Sequence, residues 1–418
     1  MIFDISLYSS CFILGYVIYK SYEKKSLFNA HLIYWVVTLY TVYMPAFFYY
    51  EELTENDTYN MIFLLGNIGA FISLFVVPIR TPVKVVSYGE VRDFSIVIKV
   101  LALIYVIFLT LSVLYLIKQY GGIVNALTFS RLDAYLKDGI TTGAGFKLLL
   151  LVPEICYFLL ISLLLNRGQV KFSFVLAMIS VIYYVFTANT RLPIIFPLIV
   201  FATIYIYKFQ YKNIRLILPV ALISGMIFVI GFSVVGSYLR NGQLENMELS
   251  SKMIYEEVGN RQTNQLGYYE WIKDLKDGLD DNRYDYEYGM GTIAYPIISF
   301  VPRALWSEKP NTSSSNRLTE LVYERKIGDG LPIYTFHLVG DGFFQFSWLG
   351  ALLYPFLFIF LVSFTRNFIA LKIPNSEYWQ AYFLISCVPF VRAELPMVKV
   401  ILTVIIVMVV KLLMRIRI

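Results

Sequence analysis

GSYLRNGQLENMELSSKMIYEEVGNRQTNQ (residues 236–265) and ISFVPRALWSEKPNTSSSNRLTELVYERKIGDGLPIYTFHLVGD (residues 298–341) open and close the one long polar stretch of the chain. Between Gly236 and Asp341 fall eleven of the 35 Lys and Arg, sixteen of the 29 Asp and Glu, and one of the two histidines. On either side, apolar runs of roughly 20 residues follow one another, each long enough for a helix to cross hydrocarbon. A polar segment of about a hundred residues between such runs must lie outside the lipid, which offers no partners for its backbone and charges. The fold expected is therefore an all-α polytopic membrane protein. It comprises an N-terminal bundle (1–235), a large, partly helical periplasmic loop (236–341) and a C-terminal bundle (342–418).

Composition supports this. The chain is 58% hydrophobic and 15% charged, against about a quarter charged in soluble domains. Hydropathy predicts about 11 transmembrane helices, near 3–19, 29–50, 59–79, 94–117, 146–165, 171–188, 193–208, 214–235, 342–364, 377–391 and 397–413. The long loop then joins spans 8 and 9. Every second connection is basic: Lys20, Lys24 and Lys25; Arg80, Lys84 and Arg92; Arg167 and Lys171; Lys208, Lys212 and Arg215; Arg366 and Lys372; Lys411, Arg415 and Arg417. The positive-inside rule puts these in the cytoplasm, the N-terminus outside and the long loop in the periplasm. Prolines inside spans, such as Pro45, Pro153 and Pro355, predict kinks. Within the loop, Met247–Asp277 reads as helical, Asp280–Gly291 as turn-rich, and Ile293–Leu305 as apolar chain lying along or re-entering the membrane surface.

The net charge of +6 is spread over short loops, so no nucleic-acid partner is expected. Cys11, Cys156 and Cys387 sit in apolar spans, which implies neither a disulfide framework nor a metal. His31 and His337 are far apart, so no metal site and no cofactor are expected.

Chemistry is sought among charges held at the outer face. Arg131 follows the Gly121-Gly122 pair in GGIVNALTFSRLDAY; it can clamp a phosphate or pair with Asp133. Arg191, in FTANTRLP, is held near the outer leaflet by a tight turn; it can meet an anionic lipid-linked group or snorkel to headgroups. FVPRALWSEKP presents Arg303 and Lys309 to one region beside the interfacial Trp306; two cations suit a diphosphate. In HLVGDGFFQFSWLG, His337 or Asp341 can accept a proton from a hydroxyl, and a charged Asp341 at a span mouth is the stronger candidate. Arg261, Glu154 and the Arg392/Glu394 pair are weaker, the last readable as a local ion pair.

These segments together resemble the Wzy-type oligosaccharide repeat-unit polymerases (O-antigen polymerases) of bacterial envelopes, over the whole chain in architecture. GGIVNALTFSR is similar to a Gly-Gly segment followed by Arg. TANTRLP resembles a Gly-Ser-Arg-Gly turn, with Arg191 in place. FVPRALWSEKP resembles the Pro-Arg…Trp…Lys-Pro segment. GDGFFQFSWLG resembles a Gly-Glu…Asn-Phe-Gly…Gly segment, with Asp341 for Glu, Gln345 for Asn and Ser347 for Gly. Arg317 and Gly328 show the Arg-x10-Gly spacing discussed for some members. The resemblance implies a metal-independent glycosyltransferase in the inner membrane, acting on undecaprenyl-diphosphate-linked repeat units. A sugar hydroxyl of one unit attacks the anomeric carbon of another, and undecaprenyl diphosphate leaves. It implies Arg191 and Arg303, with Arg131 and Lys309, on the diphosphate; Asp341 or His337 as base; Arg261 and Arg317 in support. Membrane lipid and a chain-length regulator are the further partners. Two other readings are weighed: an O-antigen ligase, which keeps a periplasmic His near the following span, as His337 is, and a flippase, against which the long loop argues.

Overall fold

The computed structural model of the chain describes residues 1–24, 26, 29–55, 57–79, 95–120, 122, 153, 156–157, 160–161, 164, 169–187, 197, 201, 270–301, 305–306, 308–310, 314–324, 336–372, 377–392 and 394–415. Among these residues there are helices and no strand. In chain order they are α1 (Ile2–Glu23), α2 (Ala30–Thr38) running into a π-helical turn (Leu39–Tyr43), α3 (Ala46–Thr54), α4 (Asp57–Val76), α5 (Ser95–Tyr120), α6 (Val170–Thr187), α7 (Ala294–Ser299), α8 (Ser314–Tyr323), α9 (His337–Lys372), α10 (Glu377–Ser386), α11 (Val388–Val391) and α12 (Met397–Arg415). Residues 270–280 are also helical. Among the described residues four helices are long and apolar enough to cross a membrane: α1, α4, the Ile98–Tyr115 part of α5, and α9. They match the spans expected at 3–19, 59–79, 94–117 and 342–364. The spans expected at 146–165, 193–208 and 214–235 lie largely outside the described residues.

By contact the chain divides into two compact units. One contains α5 and α6, which pack on each other; the Tyr105 and Ser180 hydroxyls hydrogen-bond at 2.6 Å between them. The other contains residues 1–87, 259–327 and 332–418. It is built around α9, which packs most extensively on α4 and also meets α2, α10, α11 and α12.

The α4–α9 contact is made by small residues. Gly66, Asn67, Gly69, Ala70 and Ser73 of α4 are buried. A Cβ at Gly69 would overlap the Leu352 carbonyl, and one at Gly66 would stand 2.7 Å from a Val339 methyl. Between apolar helices in lipid, close backbone approach of this kind supplies the packing that water would otherwise drive. A buried polar knot ties the opposite helices: Asn67 Nδ2 donates to Ser6 Oγ and Ser10 Oγ at 2.9 Å each and to the Tyr43 hydroxyl at 2.6 Å.

Proline does not break α9 where the sequence suggests. Pro355 lies inside continuous helix, and the break falls earlier, at Phe346 (φ −144°) and Ser347 (φ 56°, ψ −144°). Residues 337–345 thus form a half-helix that folds back on the remainder: a Cβ at Gly350 would overlap the Gly342 carbonyl. Two glycines are what permit the contact.

The end of the long loop docks on this half-helix. Ile272, Leu275 and Leu279 from the 270–280 helix, Leu318 and Val322 of α8, and Phe336, Val339, Phe343 and Phe344 form one buried cluster with Tyr59, Ile62 and Phe63 of α4. Outside lipid, each fully buried Leu contributes about 1.5–3 kcal/mol. The Asp280–Gly291 segment is turn-rich as expected, with positive φ at Asn282, Tyr288 and Gly289. At its end and beyond it, Met290, Ile293, Ile297, Leu305 and Trp306 are all exposed, apolar residues consistent with a membrane surface.

Candidate functional site

The half-helix carries Asp341 and Gln345 on its buried side, and the loop brings charges to both. Arg317, on α8, donates from Nε and Nη2 to the two oxygens of Glu287, each at 2.9 Å. The guanidinium lies 4.0 Å from the centre of the Tyr295 ring. Its side chain is 10% exposed, and Nη1 is buried without a hydrogen bond among the described residues. Burial pushes the Arg317 pKa down, but the hydrogen bonds and charge of Glu287 outweigh it and the net shift is upward, so Arg317 is a fixed cation. Gln345 completes the frame: Nε2 donates to Glu287 Oε2 at 2.5 Å, and Oε1 accepts the Gly291 N–H at 3.1 Å.

Ser314, the first residue of α8, joins this frame to Asp341. Its hydroxyl donates to Asp341 Oδ1 in a short hydrogen bond, and its backbone N–H donates to Glu394 Oε2 at 2.6 Å. A carboxylate taking an N–H of the first turn also opposes the positive end of the helix dipole. Asp341 is buried and has no ion-pair partner among the described residues. Glu394, in the connection before α12, has its pKa raised by burial, against the Ser314 N–H and the Arg317 charge that lower it. The Thr292 and Tyr354 hydroxyls hydrogen-bond next to the same frame. Three carboxylates and one arginine therefore meet between α8, the half-helix and the α11–α12 connection.

His337 lies elsewhere in the packing. It starts the half-helix at φ 59°, and its backbone N–H donates to the Arg392 carbonyl at 3.1 Å. Nδ1 accepts the Val339 N–H at 3.3 Å, Nε2 is 3.5 Å from the Thr38 hydroxyl, and the ring centre is 5.2 Å from that of Phe63. With Nδ1 accepting, Nε2 carries the proton. Lys309 donates to the Ser299 and Val301 carbonyls, each at 2.9 Å, which closes the end of α7 as a basic residue closes a helix C-terminus. Arg131, Arg191, Arg261 and Arg303 lie outside the described residues.

Sequence reasoning singled out Asp341 and named Arg317 in support, and the structure brings these two together. It did not select Glu287 or Ser314, and it weighed Glu394 only as a weaker candidate, readable as a local pair with Arg392. Glu394 is bound to Ser314, far along the chain, whereas its sequence neighbour Arg392 suggested a local pair. An acidic residue between two apolar spans was the available signal; Glu287 and Ser314, inside a polar loop, carried none. Among the described residues no group of three or more His, Cys, Asp and Glu is arranged to hold a metal ion. No family model, no curated protein and no solved structure matches the chain.

Proposed function

We propose that this protein is a repeat-unit polymerase of the Wzy type, joining undecaprenyl-diphosphate-linked oligosaccharides at the periplasmic face of the inner membrane. The observation that carries the proposal is the convergence of loop residues Glu287, Ser314 and Arg317 on Asp341 and Gln345, in the segment whose sequence resembles the family's. Asp341 is the base in this reading. Among the described residues it has no ion-pair partner, and it takes a hydrogen bond from the Ser314 hydroxyl, the kind of group it would deprotonate on an acceptor sugar. His337 is less suited, because a neutral imidazole whose Nδ1 already accepts a backbone N–H has no spare lone pair. Arg317, fixed by Glu287, supplies positive potential beside the base. Arg191 and Arg303, with Arg131 and Lys309, stabilise the leaving diphosphate.

The test is the surface glycan of a deletion strain. A polymerase is needed only to join units, so its loss leaves single repeat units where there was a ladder. Bare core with accumulated lipid-linked polymer would instead identify a ligase. Units trapped on the cytoplasmic face would identify a flippase. In the complemented strain, Asp341→Asn, Arg191→Ala and Arg303→Ala each abolish the ladder while the protein remains inserted at wild-type level. A lost charge-assisted contact to a developing anion lowers the rate by about 100-fold or more. Lys in place of either arginine restores little, lacking the planar fork.

A further inference from the structure

At the other end of α9 the chain holds a second buried cation, Arg366, which is 8% exposed. The positive-inside pattern assigned it to a basic loop, but α9 continues through it to Lys372. Its Nε donates to Gln380 Oε1 and its Nη1 to Ser26 Oγ, both at 3.2 Å. These partners are neutral, and no carboxylate pairs with Arg366 among the described residues. Glu23, at the end of α1, is held by Lys20 and Lys24. Removing an ion from water carries a penalty of several kcal/mol that neutral acceptors offset poorly, so a buried, unpaired guanidinium calls for an anion.

The structure has room for one beside it. Arg366 lines a cavity of about 170 Å³ between the start of α2, the end of α4 and the 360–367 stretch of α9, together with Ser363 and Asn367. That is smaller than the roughly 300–1,000 Å³ of a site that encloses a whole small molecule, and it suits a headgroup fragment. His31 forms part of the wall without being a free ligand: its Nε2 donates to the Val77 carbonyl at 2.7 Å. Phe360, Phe364 and Val76 at the rim are 40%, 55% and 56% exposed, an apolar margin along which acyl chains can run. Arg366 lies about 24 Å along α9 from Gly350, at 1.5 Å per residue. The cavity therefore lies toward the opposite end of the span from Asp341. Basic pockets between helices near a membrane face are the usual receptors of anionic headgroups.

We propose that this cavity binds a phosphate group, with Arg366 as counter-charge and Ser363 and Asn367 as neutral hydrogen-bond donors. The planar guanidinium fork matches phosphate geometry. A phospholipid headgroup and a free phosphate ion share this chemistry, and the proposal is independent of the polymerase reading. The test uses the purified full chain in detergent, with phosphatidylglycerol, phosphate-free diacylglycerol or inorganic phosphate added. Lipid retention is read by native mass spectrometry and stability by thermal unfolding. Wild type is expected to retain phosphatidylglycerol, to unfold at higher temperature with it, and to show neither effect with diacylglycerol, which has the acyl chains and no phosphate. Arg366→Gln weakens retention by about tenfold, the value of a hydrogen bond to a charged group. Ser363→Phe fills the cavity while leaving both Arg366 bonds in place, and has the same effect, so the test survives if Arg366→Gln does not fold. A response to inorganic phosphate that matches the lipid's, and is lost in the same variants, assigns a free anion. Equal retention in wild type and Ser363→Phe, or equal stabilisation by the two lipids, overturns the proposal.

Discussion

Ser347 stands where the resembling segment has Gly, and the backbone explains the preference. At φ 56° and ψ −144°, a side chain is strained by about 1–3 kcal/mol, so Ser347→Gly is expected to raise the unfolding temperature in detergent and Ser347→Val to lower it. Glu394 offers a pH-dependent counterpart. Burial raises its pKa, so the folded state binds the proton more tightly than the unfolded chain does. Its contribution to stability therefore falls as pH rises upward from the ordinary glutamate value of about 4.3. Glu394→Gln keeps an oxygen to accept the Ser314 N–H and removes the titration. The difference in unfolding temperature between variant and wild type should then grow in the variant's favour as pH is raised through that range. A constant difference would show that Glu394 keeps the same protonation in both states.

At the scale of elements, the α4–α9 contact positions the half-helix. Gly69 touches the helix beyond the break and Gly66 touches Val339 within the half-helix, so one helix face holds both arms of the bend. Gly69→Val is expected to push α4 off the Leu352 backbone, which cannot move aside as a flexible side chain would. The outcome should be loss of folded protein, or of surface polymer at normal protein level, and size-exclusion profiles with immunoblots distinguish the two. Gly15→Val is the control, because a Cβ there meets nothing within 4 Å. The half-helix itself was not legible in the sequence. Its apolar run continues through the break, and Pro355, the residue that signals a kink, sits in regular helix. Which of several candidate residues yields depends on what packs around each, and here the Gly342–Gly350 contact favours the fold-back.

At the scale of the molecule, the prediction concerns sidedness. The alternation of basic connections predicts a loop on the outside, so alkaline phosphatase fused near Asn282 should be active and a fusion near Asn213 inactive. The reverse pattern would move the Asp341 cluster to the cytoplasm, where lipid-linked repeat units are assembled and not joined, and would end the polymerase reading. The structure adds a constraint to that experiment. Asp341 and Arg366 belong to one helix and lie toward opposite ends of it, so whichever face receives the first, the Arg366 cavity lies nearer the other.

The sequence by itself determined a helical membrane protein with one long polar excursion, because runs of about 20 apolar residues suit helices that cross hydrocarbon, which leaves no place for unpaired charge. It also singled out Asp341, since a charge at the mouth of an apolar span is costly enough to stand out from its surroundings. Only the tertiary structure decided which partners that charge has. Glu287, Arg317 and Ser314 lie among many polar residues in a loop, and Glu394 lies beyond the next two expected spans. Pairing across such separations is set by docking of the loop on α4 and the half-helix, which leaves no local pattern. The same holds for Arg366. Read along the chain it is one more basic residue after a span, and only the packing of α2, α4 and α10 around α9 turns it into a buried cation facing a cavity.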